Sequence, residues 1–187
     1  MGLDITAISK ARFRHKHNDT CGEKSDHHRV FSYPDHIARL DGMKIGCYMS
    51  NGCRMDFDAD CYSAYGNWRM ILSFIAFGVA PNVIWENYTE YAGKPFVELI
   101  NMADNRGTIG PMTSRKLASD FEALRDSVER KLREVIERPD ITYQFENGMA
   151  DLWYHKREDL MQWWLTRCDQ WHEAFVLASD DGFVIFH

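Results

Sequence analysis

Apolar and polar residues alternate in several short runs in the first third of the chain, and this alternation predicts β-strands with one buried face. The polar residues 10–28 predict a loop or hairpin, and Asp41-Gly42 is a turn signal between two strands. The pattern therefore predicts a small, mostly antiparallel sheet. Its candidate strands are Leu3–Ile8, His28–Tyr33, His36–Leu40 and Met43–Met49.

Residues 63–79 predict a helix that is apolar on every side. A helix of this kind is buried on both faces, or is buried on one face and bound to a partner on the other. One stripe at the 3.6-residue period contains Trp68, Leu72, Ile75 and Val79. Exposed aromatic and methionine clusters mark association surfaces. Under the second alternative, the predicted interface residues are Met70, Phe74, Phe77 and Trp163.

The second half of the chain predicts a strand, a glycine-containing loop and an amphipathic helix in succession. Phe96–Met102 predicts the strand, and residues 103–111 predict the loop. Apolar residues recur every three or four positions from Leu117 to Val135, and Thr113 or Ser114 is a candidate helix cap. The elements predicted after this unit are a second long helix over about 153–178 and a terminal strand at 183–187.

These elements predict an α+β fold in which the sheet packs against two long amphipathic helices and one short apolar helix. A length of 187 residues predicts a single domain over 1–187, which can bury a core without a disulfide or metal. The five cysteines are an odd number without a C-x-x-C pair, which favours reduced thiols. Because we find no signal peptide and no apolar run of about 20 residues, we expect a cytoplasmic protein without a membrane segment.

The formal net charge of −6 bears on possible partners. Domains that bind nucleic acid through its phosphates usually carry a basic surplus, because counterion release contributes much of their affinity. The acidic balance therefore argues against generic nucleic-acid binding, and it leaves a local basic patch open.

The loop over 104–110 is a candidate anion site. It leads to a predicted helix N-terminus, where unpaired backbone N–H groups and the helix dipole attract negative charge. However, it lacks the glycine spacing and the Lys-Ser/Thr pair of a P-loop. The alternative is a turn in which the glycines supply positive φ angles. Polar and aromatic residues at the start of the 63–79 helix either line the same pocket or pack and cap that helix. The candidate ligand-binding residues are Tyr62, Ser63, Tyr65, Asn67, Arg69, Asp104 and Arg106.

Histidine and cysteine residues suggest little further chemistry. The segment 15–28 holds five possible zinc ligands but lacks the usual C-x₂₋₄-C or H-x₃₋₅-H spacing, so a solvated loop is the favoured interpretation and no metal or cofactor is expected. No G-x-S-x-G motif occurs, so no catalytic residue is predicted. Asp4 and His187 meet if the terminal strands pair. The weak metal candidates are His15, His17, Cys21, His27 and His28.

Four stretches resemble a group of uncharacterised proteins encoded by tailed phages and prophages. They are MGLDITAIS at the start, CYSAYGNWR at 61–69, PFVELINMADNRGTIGP at 95–111 and WHEAFVLASDDGFVIFH at 171–187. Since they span the chain, the resemblance implies a common architecture and a role in the host cytoplasm against host defences. Those relatives carry Asp-Cys-Glu where this chain has Asp104-Asn105-Arg106, and they are more polar where it has Met70, Phe74 and Phe77.

Two functions are therefore expected. The first is a phage-derived, non-enzymatic binding protein that inhibits a host defence factor or associates with itself. The alternative is a small-molecule binding protein or enzyme for a nucleotide or other anion, with its pocket between the 104–110 loop and residues 62–69.

Overall fold

The computed structural model describes residues 2–16, 27–103, 105–138 and 157–187, and within them the α+β class is confirmed. The strands are β1 (Gly2–Ile8), β2 (Ala11–His15), β3 (His28–Val30), β4 (Gly46–Ser50), β5 (Arg54–Cys61), β6 (Gly107–Ile109) and β7 (Phe183–Phe186). The α-helices are α1 (Tyr62–Phe77), α2 (Pro81–Glu86), α3 (Tyr88–Tyr91), α4 (Val97–Ile100), α5 (Pro111–Leu124), α6 (Val128–Ile136) and α7 (Arg157–Ala178). Two 3₁₀ helices are Pro34–Leu40 and Arg125–Ser127.

In the part of the chain that the structure describes, the strands form two antiparallel sheets rather than the one expected. The larger sheet has the order β5-β1-β7-β6, and the smaller has the order β2-β4-β3. The predicted meeting of the chain ends is confirmed, because β1 pairs with β7 and the His187 N–H donates to the Asp4 carbonyl at 3.0 Å. This arrangement places the end of β7 inside the larger sheet, between β1 and β6.

The main core lies between the larger sheet and helices α1, α5, α6 and α7. Its centre is aromatic: Trp171 is 1% exposed and packs against the rings of Phe57, Phe175 and Phe186. Trp68 and Trp164 each donate an indole N–H to the other's backbone carbonyl, at 3.3 and 3.1 Å. These bonds satisfy two buried donors and fix α1 against α7.

Two strand predictions are wrong. Residues 36–40 belong to the 3₁₀ helix Pro34–Leu40, which begins at a proline whose fixed φ suits a helix start. Residues 97–100 form α4, and Phe96 before it has a φ of 63°. Val97, Leu99 and Ile100 are all buried, and a short apolar run of this kind does not distinguish a buried strand from a buried helix.

The loop predicted after Phe96–Met102 contains strand β6, so the strand of this unit lies after α4 and not before the loop. The amphipathic helix is present but is divided into α5 and α6 by the second 3₁₀ helix. It begins at Pro111, earlier than the predicted caps Thr113 and Ser114. The apolar helix is confirmed as α1, and it is followed by the short helices α2 and α3.

Candidate functional site

A cavity of about 310 Å³ opens where β3, the loop before β6 and the end of β7 meet. We call it the β6–β7 pocket. The described residues that line it are Arg29, Phe31, Asn105, Arg106, Gly107, Ile185, Phe186 and His187.

Backbone pairing holds the walls of the β6–β7 pocket. Gly107 pairs with Phe186 across β6 and β7, and the Phe31 N–H donates to Thr108 Oγ1 at 3.1 Å, which joins the two sheets. A side chain at position 107 would displace the terminal methyl group of the buried Met102 side chain. A glycine at this position therefore allows the loop that carries Arg106 to lie close to the core.

Two arginine side chains line the pocket. The Arg106 guanidinium lies over the Phe31 ring at 4.3 Å from its centroid, a cation–π contact that holds the charge in place. Arg29 enters from β3, and both arginines are exposed. Among the described lining residues none has an acidic side chain, and the described part of the chain shows no salt bridge to either arginine.

His187 lines the pocket and is connected by side-chain hydrogen bonds to Thr6 and Asp56. Thr6 Oγ1 donates to Asp56 Oδ1 at 2.7 Å and lies 3.2 Å from His187 Nε2. Because the threonine hydrogen is directed to Asp56, its oxygen accepts from His187 Nε2–H, so in the neutral ring Nδ1 is the acceptor. Burial lowers the pKa of His187 below its ordinary value, while Asp4 and Asp56 oppose that shift.

The segment before the pocket is fixed by four side chains. In each case a donor from another element bonds one of four consecutive backbone carbonyls at or just after the C-terminal end of α4, where helix carbonyls run out of partners one turn ahead. The first of them, the Leu99 carbonyl, also accepts the Met102 N–H at 3.1 Å. The bonds are Tyr65 Oη to Leu99 O (3.3 Å), Trp85 Nε1 to Ile100 O (3.2 Å), Arg39 Nη1 to Asn101 O (2.7 Å) and Arg69 Nη1 to Met102 O (2.6 Å). They fix the start of the loop that leads to Arg106.

Two of these donors are buried arginines. Arg69 is 8% exposed and lies between the rings of Tyr65 and Trp85, at 5.1 and 5.2 Å from their centroids. Burial lowers the pKa of Arg39. A cation next to helix C-terminal carbonyls is favourable, because those groups carry partial negative charge.

The structure separates the predicted ligand-binding residues. Arg106 lines the β6–β7 pocket, whereas the buried side chains of Tyr65 and Arg69 hold the backbone behind it. The described lining of this pocket does not include Tyr62, Ser63 or Asn67, so a pocket between the loop and the start of α1 stays a prediction for these residues. Asp104 lies outside the described residues.

Both interpretations of the glycine loop also need correction. Asp41 occupies the N-terminus of α5: its carboxylate accepts from the Thr113 N–H at 2.7 Å and from the Thr113 hydroxyl at 2.9 Å. An internal carboxylate thus fills the place expected for an anion. Neither Gly107 nor Gly110 has a positive φ; Gly110 instead lies against the Leu40 backbone, whose oxygen a Cβ would meet at 2.6 Å.

The proposed interface residues make contacts within the chain. Phe74 is 9% exposed in the main core, and half-buried Met70 and Phe77 pack against that core. Trp163 donates its indole N–H to Asp60 at 2.8 Å, beside the ion pair of Asp60 with Arg167. The alternative of a helix buried on both faces therefore describes α1 well.

The histidine segment is only partly described. The rings of His15 and His27 lie 5.8 Å apart, and His28 is buried. His17 and Cys21 fall outside the described residues. Within the described ranges, no three potential ligands form a group that could hold a metal ion.

Sequence reasoning missed Arg29, Phe31, Thr6 and Asp56 as members or neighbours of the site. It also missed Cys61, an exposed thiol at the start of α1 whose sulfur lies 3.0 Å from the Ser63 hydroxyl. That hydrogen bond lowers the pKa of Cys61. The signal available for Cys61 was its position before a predicted helix, where thiolates are stabilised.

Comparison with protein-family models, with curated proteins and with solved structures finds no match to this chain. None of the helices that the structure describes has the length and apolar character needed to cross a membrane. The chemistry of the β6–β7 pocket is therefore the basis for a function.

Proposed function

We propose that the protein binds a phosphate-bearing anion in the β6–β7 pocket. The observation that supports this is the convergence of Arg29, Arg106 and His187 on one cavity without an acidic side chain among its described lining. This occurs in a chain whose net charge is −6, so the local charge opposes the overall one. The planar guanidinium group matches the oxygens of a phosphate with two parallel hydrogen bonds.

The volume of the pocket limits the size of the ligand. Ligand pockets range from about 300 to 1,000 Å³, so a cavity of about 310 Å³ suits a phosphate or diphosphate group better than a large cofactor. Phe31 holds Arg106 in advance, which reduces the entropy lost when the ligand binds. Protonation gives His187 a positive charge beside the pocket. The affinity for an anion whose own charge stays constant over that range therefore rises as the pH falls through the lowered pKa of His187.

Arg106→Gln is expected to weaken the binding of inorganic pyrophosphate by about 10-fold or more. A hydrogen bond to a charged group contributes about 1.5–3 kcal/mol, and about 1.4 kcal/mol corresponds to a factor of 10. Titration calorimetry at low salt measures this change. Arg133→Gln, at an exposed position of α6, is the matched control and leaves binding unchanged.

Because Arg106 is exposed, the variant should melt at the same temperature as the parent protein. The proposal fails if the parent does not bind pyrophosphate. It also fails if Arg29→Gln and Arg106→Gln both bind it as tightly as the parent does.

Our second proposal is association with another protein. The surface proposed for it differs from the predicted interface at Met70, Phe74, Phe77 and Trp163. Trp85 and Tyr88, on neighbouring helices α2 and α3, are 44% and 37% exposed. The Trp85 ring is held in place by its bond to Ile100, and rigid Trp and Tyr side chains are frequent contact residues. A phage origin and a host defence factor as the partner are proposed from the resemblance alone, and a cytoplasmic location is proposed from the sequence pattern together with that resemblance.

Light scattering over a range of protein concentrations tests the simplest form of association, between two copies of the chain. We expect a concentration-dependent rise in mass that Tyr88→Ala abolishes and Met112→Ala, at an exposed residue on α5, does not. A mass that stays at one chain at every concentration contradicts self-association.

A further inference from the structure

The smaller sheet presents a basic outer face beside the β6–β7 pocket. Cross-strand partners point to the same side of a sheet, as do residues two apart on one strand. Cys47 on β4 pairs with Arg29 on β3 and with His15 on β2. Met49 lies two residues further along β4 and pairs with Arg12 on β2. Arg12 and Arg29 therefore share one face, whereas Tyr48 and Val30 point to the opposite side and pack in the smaller core cluster.

Strand β2 is unusually basic and exposed. Residues 10–16 contain Lys10, Arg12, Arg14 and Lys16 and no acidic residue. All four side chains are exposed, and only Lys10 takes part in a salt bridge within the described part of the chain, with Asp180 at 3.8 Å. Strand β4 lies between β2 and β3, and adjacent strands are about 4.8 Å apart. The basic residues of β2 are therefore at least about 10 Å from Arg29 on β3.

We propose that the phosphate held in the β6–β7 pocket belongs to a single-stranded nucleic acid whose backbone crosses the smaller sheet from β3 to β2. This inference depends on the proposed anion site. A row of separate cations suits a chain that carries one phosphate per unit, and bonds to phosphate need no particular base sequence. We call Arg106, Arg29, Arg12 and the neighbouring Arg14, which lies at the register shift between Phe13 and His15, the basic track.

A single strand fits the basic track better than a duplex does. DNA duplexes are stiff, with a persistence length of about 150 base pairs, so a duplex cannot turn into a cavity of about 310 Å³. A flexible single strand can place one phosphate in the pocket and the next few on the sheet. The acidic overall charge then confines binding to this face.

Fluorescence anisotropy with labelled oligo(dT) and oligo(rU) of about 12 nucleotides, within the usual site size, tests the inference. Four contacted phosphates at about 0.7 each predict a slope of about −3 for log K against log salt. Arg12→Gln and Arg14→Gln should each make the slope shallower by about 0.7. Arg133→Gln should leave it unchanged, and a difference between the two oligonucleotides would identify RNA or DNA as the preferred strand.

The failures of the two proposals are distinguishable. If pyrophosphate binds and neither oligonucleotide does, the basic track is wrong and the anion pocket stands. If neither probe binds, both proposals fail. The inference is also overturned if poly-glutamate binds as tightly as the oligonucleotides, because the face is then a general polyanion site.

Edge strands often carry Lys and Arg to prevent pairing with other chains, and this is the competing explanation for β2. It predicts that Arg12→Gln and Arg14→Gln aggregate while the remaining soluble protein keeps its oligonucleotide affinity and slope. That result would overturn the basic track. Unchanged solubility with a shallower slope supports it.

Discussion

Gly182→Ala is expected to lower the free energy of unfolding by about 3 kcal/mol, at or above the upper end of the usual range for overpacking. Gly182 lies between α7 and β7, and a Cβ at this position would come far inside contact distance of the Ile8 carbonyl oxygen. That oxygen belongs to the backbone of β1 and cannot rotate away. The Gly182 N–H also donates to the Ala178 carbonyl at 3.0 Å, which fixes the turn from the other side.

Gly66→Ala is the matched control, and it is expected to raise the free energy of unfolding. Gly66 lies in α1, and a methyl group on its Cα would have no neighbouring atom within 4 Å outside the adjacent backbone, so alanine causes no collision there. Glycine in a helix interior costs roughly 0.5–1 kcal/mol relative to alanine, and we expect a gain of that size. Urea denaturation followed by circular dichroism measures both changes. Parent-like stability in Gly182→Ala would show that β1 and the start of β7 are not in this close contact.

Two kinds of element are predicted well from the sequence. They are helices whose apolar pattern repeats over several turns, and strands near the ends of the chain. The burial of α1 is visible in the sequence as apolar residues on every side of the helix. The burial of α5 and α6 is visible as an apolar stripe from Leu117 to Val135. Strand β7 pairs with β1 as expected of apolar terminal strands. Such patterns are reliable because each repeats one burial requirement several times.

Short segments were predicted poorly for a physical reason. Val97, Leu99 and Ile100 are apolar and buried, and burial alone does not choose between strand and helix. Strand β6 contains a glycine and has only three residues, so its strand character comes from pairing with β7 rather than from propensity.

The candidate site was mostly invisible in the sequence because distant segments assemble it. Arg106 was identified in its loop, but Arg29 and His187 join it only through the pairing of sheets and terminal strands. Asp41 caps α5 across 72 residues, which removed the expected anion site from the helix N-terminus. No local pattern specifies a contact at that separation.

Arg69→Ala is expected to lower the free energy of unfolding by about 3–4 kcal/mol. The substitution leaves the Met102 carbonyl without its donor and opens a cavity between Tyr65 and Trp85. An unpaired buried polar group costs about 1–3 kcal/mol, and truncation of a large buried side chain to alanine adds a cavity cost. Urea denaturation measures the sum.

Arg69→Met separates the two causes, because methionine keeps much of the volume between the rings and removes the charge and the hydrogen bond. Replacing a buried charge by an apolar side chain of similar size often costs little, so we expect a loss of about 1–2 kcal/mol. The same variant distinguishes a positioning residue from a ligand-binding one. If Arg69 only holds the 101–106 backbone, folded Arg69→Met keeps most of its pyrophosphate affinity, and Arg106→Gln loses far more. A parent-like stability with an affinity as low as that of Arg106→Gln would instead return Arg69 to the ligand site that its sequence position first indicated.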